Sequence, residues 1–245
     1  MSDVWLVFGY ALLTAIATGF GALPFLFVRR ISERFVAYSG AIAAGLMLGA
    51  SFGLVAEATV YGRGQTVVGG LLGVVFILLT QRMLGDRHSE ELVFEAVQGE
   101  GARRMLLMVI VMTVHSFAEG VAVGVSFGGG VTLGAVITVA IAIHNVPEGV
   151  AISAVLRPQG VSVARCAGWS VFSSLPQPLA AVPAFLFVET FRTALPYGLG
   201  FAAGAMVFMV LGELLPEAYG HGKRAQVATL AAASAVGMVL FQQWL

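Results

Sequence analysis

Residues 105–153 read MLLMVIVMTVHSFAEGVAVGVSFGGGVTLGAVITVAIAIHNVPEGVAIS. Two long apolar runs are joined by only five residues, SFGGG at 126–130. Each run holds the roughly 20 residues that a helix needs to cross a hydrocarbon layer about 30 Å thick. Near the middle of each run stands one version of the same phrase, HSFAEGVAVG at 115–124 and HNVPEGVAIS at 144–153. Histidine and glutamate at i and i+4 share one face of a helix. A charge at that depth costs about 2.5–3.5 kcal/mol on insertion scales, so something must offset it.

The rest of the chain is of the same kind. Of its 245 residues 58% are hydrophobic and 11% charged, with a mean hydropathy of +0.92. Soluble domains carry about 25% charge, so the solvent for this surface is lipid. Eight apolar runs are expected near 3–28, 35–60, 66–84, 105–127, 131–156, 163–188, 194–219 and 225–245. They read as one membrane domain over 1–245, with a charged loop at 85–104. The first run has no basic leader before it and reads as a retained span. Cys166 is the one cysteine, so no internal disulfide forms. The formal net charge is zero and no polybasic block occurs, which argues against nucleic acid as a partner.

The basic residues set the direction. Loops after spans one, three, five and seven hold Arg29, Arg30, Arg34, Arg82, Arg87, Arg103, Arg104, Arg157, Arg165, Lys223 and Arg224, whereas the opposite loops hold only Arg63 and Arg192. The positive-inside rule then predicts a cell-membrane protein with cytoplasmic loop 85–104 and both termini outside.

Spans four and five are antiparallel neighbours. Packed face to face, they set His115 opposite Glu148 and Glu119 opposite His144. Two ionised carboxylates are neutralised by one divalent cation. Nitrogen and oxygen ligands suit zinc, and also iron, manganese or cobalt, while the lack of thiolates argues against copper(I). One such pair alone could be a structural hydrogen bond between helices, whereas two matching pairs favour a metal site. Pro147 removes the N–H that would meet the Ile143 carbonyl, so a kink is expected beside His144.

HNVPEG, its degraded copy HSFAEG, GELLPEA at 212–218 and GLVAEA at 53–58 make the chain resemble the ZIP family of divalent-metal transporters, in its bacterial and archaeal branch with HNxPEG motifs. The resemblance spans essentially the whole chain. It implies an all-α membrane protein with eight transmembrane helices in a 3+2+3 arrangement. Helices one to three and six to eight would be inverted repeats around helices four and five. It further implies transport of zinc, or of iron, manganese, cobalt or cadmium, toward the cytoplasm by alternating access. The metal is then the transported substrate, and no catalytic cofactor is expected. His115, Glu119, His144 and Glu148 match the family's primary metal site. Ser116, Asn145 and Gln177 match an adjoining second position, where Ser116 replaces the usual Asn and Gln177 a common Glu. Because no negative charge is added there, a second ion is expected to bind weakly. Ala118 replaces the usual proline, so helix four is expected to be straighter than helix five.

Other polar residues extend this reading. Glu213, Glu217 and His221 recur at i+4 and would form an exit path, and Glu57 an entrance. His221 and Glu57 also read as solvated residues at helix ends. Asp86, His88, Glu90 and Glu91 form either a capture cluster or a solvated charge run. Gly45, Gly49 and Gly53 make a small-residue stripe on span two, suited to packing on the central pair or to a homodimer face. Pro176, Pro178 and Pro183 are expected to break span six. The alternative function is an intramembrane metalloenzyme, such as a hydrolase or protease. Zincin proteases carry the general base beside the first histidine of H-E-x-x-H. Here Ser116 and Asn145 occupy those places, and all four expected ligands are committed to the metal.

Overall fold

The computed structural model describes residues 2–28, 31–86 and 100–244. Its described residues form helices joined by short connections. Helix α1 (Ser2–Gly19) runs into a 3₁₀ segment, Phe20–Leu26, that contains Pro24. Helix α2 (Glu33–Tyr61) starts at Ser32, whose hydroxyl accepts from the Phe35 N–H at 3.2 Å. Only Gly62 separates it from α3 (Arg63–Asp86). Helix α4 (Glu100–Gly128) turns through Gly129 and Gly130 into α5 (Val131–Leu156). Gly130 has φ +129°, a conformation that side chains rarely adopt, so the glycine run of SFGGG permits this tight reversal.

The sixth span is broken into α6a (Val163–Ser174) and α6b (Pro176–Thr190). Pro176 starts the second half, while Pro178 and Pro183 lie inside it without a further break. The seventh span consists of α7a (Leu195–Met209), a π-helical turn at Val210–Leu214 and α7b (Leu215–His221). Helix α8 (Arg224–Trp244) completes the bundle. Seven of these spans are long and apolar enough to cross a membrane, and α4 matches them in length. The chain is a multi-pass membrane protein. Large apolar side chains such as Leu71, Leu179, Leu211 and Trp244 are exposed on its outside, which only a lipid solvent tolerates at this density.

The packing pairs reveal the internal symmetry. Helix α3 lies on α7a as α8 lies on α2, α1 lies on α5 as α6b lies on α4, and α2 meets α5 as α7a meets α4. Exchanging one with six, two with seven, three with eight and four with five maps each pair onto its counterpart. This is the 3+2+3 plan that the resemblance implied. Helix α5 is central, 61% buried over its apolar window, whereas α8 is peripheral at 17%.

One expectation changes. The stripe Gly45, Gly49 and Gly53 faces neither the central pair nor a second chain; it packs on α8. A Cβ on Gly49 would lie 2.6 Å from the Met238 Cβ, and Gly45 abuts the Ala231 carbonyl. Helix α8 is itself rich in small residues (AAASAVG at 231–237), so the two backbones approach closely there. Helix α5 runs unbroken from Val131 to Leu156 with Pro147 inside it. Most of the 85–104 loop, including His88, Glu90 and Glu91, lies outside the described residues.

Candidate metal centre

Helix α5 brings His144, Asn145 and Glu148 to the core, and α4 brings His115, Ser116 and Glu119; all six are buried. Glu119, His144 and Glu148 converge, each offering a ligand atom within 4.8 Å of the others. The His144 Nε2 lies 3.0 Å from Glu119 Oε1. The pairing of Glu119 with His144 follows from antiparallel packing of two helices that carry the same i, i+4 spacing.

His115 takes a different partner from the one the spacing suggested. Its Nε2 lies 3.2 Å from Glu213 Oε2, in the π turn of span seven. Gln81 of α3 donates to the other oxygen of Glu213. The cause is local. Pro216 has no N–H and its ring crowds the carbonyl one turn earlier. The helix widens ahead of it, with the Leu215 N–H bonding to the Val210 carbonyl. Such π turns are common at functional sites. This wider turn offsets Glu213 from the strict i+4 stripe with Glu217 and His221.

A polar network holds the other side of the centre. Gln177, two residues past the α6 break at Leu175, donates through Nε2 to Glu119 Oε2. The Thr14 hydroxyl donates to Gln177 Oε1. Asn145 Nδ2 donates to the Thr14 carbonyl at 2.9 Å and to Gln177 Oε1 at 3.3 Å. Gly120 makes this possible, since a Cβ there would lie 2.4 Å from the Gln177 carbonyl oxygen. Thr14 was not singled out from sequence, because one threonine in an apolar first span carries no pattern. Gln81 gave no signal either. The π turn could have been found from Pro216 within LGELLPEA.

Three buried atoms of the group have no hydrogen-bond partner: His144 Nδ1, Asn145 Oδ1 and Glu148 Oε1. Bare lone pairs on a carboxylate in an apolar interior are costly, and a cation removes that cost. The donor set of imidazole nitrogen and carboxylate oxygen is the one that zinc and its divalent neighbours accept.

The remaining candidates lie along the bundle. Exposed Glu217 and His221 line a cleft of about 200 Å³ between α2, α5 and α7b, with Glu33, Ala151 and Val155 among its walls. It opens at the end where Lys223 and Arg157 lie. At the opposite end Glu57 is half-buried in a wider cleft of about 880 Å³, beside Thr132 and Gln242.

Residues 85–241 match the family described as ZIP Zinc transporter. The chain belongs to the ZIP family. This ZIP chain is 44% identical over 232 residues to a candidate zinc transporter of Arabidopsis thaliana, covering 94% of the chain but only 37% of that longer protein. It is 32% identical over 234 residues to the zinc transporter GufA of Myxococcus xanthus, covering 89% of the chain and 91% of GufA. Against the zinc transporter ZIPB of Bordetella bronchiseptica the identity is 34% over 240 residues, covering 91% and 78%.

Proposed function

We propose that this ZIP chain carries divalent transition-metal cations, zinc foremost, across the cell membrane toward the cytoplasm by alternating access. The carrying observation is the buried group of Glu119, His144 and Glu148 at the centre of the bundle, with ligand atoms mutually within 4.8 Å. The relatives' names as zinc transporters support the substrate class and speak against the enzymatic reading. Residues 1–245 act as one transporter domain, with the 85–104 loop on the cytoplasmic side and both termini outside. His115 and Glu213 stand next to the primary site on the way to the cleft of Glu217 and His221. Metal leaving the centre would pass from Glu119, His144 and Glu148 to His115 with Glu213, and then into that cleft. Glu57 draws cations into the opposite, outward cleft.

Uptake of zinc by proteoliposomes tests this. Glu148→Ala and His144→Ala should each lower uptake at least about tenfold, since a ligand is lost, while gel filtration stays monodisperse. Wild-type uptake in a well-folded Glu148→Ala protein would reject the assignment.

A further inference from the structure

Away from the metal cleft, a second polar feature leads from the centre to the basic end. It starts at Thr14, which holds Gln177. One turn on, the Thr18 hydroxyl lies 2.8 Å from that of Ser174 on α6a. The Thr18 carbonyl sits against Gly149 of α5, where a Cβ would come within 1.8 Å of it. These contacts put Thr18, Ser174 and Gly149 at one level of the bundle. Helix α5 runs toward the basic end and α6a runs back from it. One turn further along are therefore Ser153 on α5 and Ser170 on α6a, and after another turn Arg157 and Cys166. The two helices pack together, with Ile152, Leu156 and Cys166 in one cluster.

Ser153 and Ser170 are fully buried and their hydroxyls have no hydrogen-bond partner. This sets them apart from the other buried hydroxyls. Ser51, Ser126 and Thr138 each donate to the carbonyl one turn back, at 2.6–2.8 Å. Beyond them the Nε of half-buried Arg157 is also buried without a partner. Buried polar groups are nearly always satisfied, by protein or by ordered water. A water that bridges two or three such groups is a normal part of a protein interior. Moreover, this face of α5 is not the one that lines the metal cleft, where Ala151, Ala154 and Val155 lie.

We infer that the column Thr14, Thr18, Ser174, Ser153, Ser170 and Arg157 is a water-binding file that links the buried polar network to the basic end, apart from the route of the metal. Its ligand is water. Ser153 and Ser170 hold one molecule between α5 and α6a, and the Arg157 Nε holds the next. Gln177 and Thr14, which position Glu119, thereby exchange with solvent while the metal cleft serves the cation.

X-ray pulse hydroxyl-radical labelling read by mass spectrometry tests this on the purified, metal-free full chain, so the result does not depend on transport. Buried side chains react only where water lies beside them. With each rate divided by the intrinsic reactivity of its side chain, Cys166 should be labelled well above Met238, which is as deeply buried between α2 and α8. In Ser153→Ala/Ser170→Ala the site between the serines stays dry and the water at Arg157, level with Cys166, loses its inner partner, so labelling at Cys166 should fall about twofold or more. Labelling of wild-type Cys166 no greater than that of Met238, or labelling unchanged in the double variant, overturns the proposal. If the double variant does not fold, the two single Ser→Ala variants decide: a clear fall in either supports the file, and wild-type labelling in both overturns it.

Discussion

Both carboxylate oxygens of Glu119 are engaged, Oε1 by His144 and Oε2 by the Gln177 amide. A neutral N–H donor stands where a second cation would need a negative ligand. Two divalent ions sharing Glu119 and Glu148 would leave a net +2 in a medium that screens poorly. The wild-type chain should therefore bind one zinc ion per polypeptide in the centre. Gln177→Glu removes the donor, adds a charge and should raise this to two. Equilibrium dialysis with elemental analysis measures both values, and two ions in the unmodified chain would show that Gln177 does not set the number.

Several helix pairs approach closely enough for backbone to meet backbone, beside the side-chain core. Helices α3 and α7a touch through glycines on both sides, and a Cβ on Gly204 would lie 2.1 Å from the Gly70 carbonyl oxygen. Neither backbone can yield without separating the pair. Gly204→Ala should thus destabilise by about 1–3 kcal/mol, the usual cost of overpacking. Gly237 on α8 has open space around its Cβ position. Gly237→Ala should be neutral or stabilising by up to about 1 kcal/mol, because alanine is the better helix former. Unfolding curves in detergent should separate the two, and equal loss in both would mean that helix propensity, not close approach, governs these sites. At the same scale, the π turn and the α6 break are where elements depart from regular geometry. Each carries a polar residue to the centre, Glu213 in one case and Gln177 in the other.

For the whole molecule, the order of spans along the sequence assigns eleven of the thirteen basic residues to the loops of one side. In a Cys166→Ser background, Arg63→Cys should react with an impermeant maleimide added to intact cells, and Lys223→Cys should react only after lysis. Both positions are exposed, so the reverse pattern would invert the orientation. The sequence by itself determined the spans, their number, the bias of charge and the pairing of Glu119 with His144. Each follows from one-dimensional rules: the length a helix needs to cross lipid, and the i, i+4 spacing that recurs on two neighbouring antiparallel helices. Tertiary structure alone decided that His115 meets Glu213, that Thr14 and Gln81 complete the polar network, and that the glycine stripe of α2 packs on α8. Those partners lie from 98 to more than 180 positions apart in the chain, and no local pattern encodes which faces of eight similar apolar helices meet. Shape does so, through small residues that admit close approach and prolines that shift a helix by part of a turn.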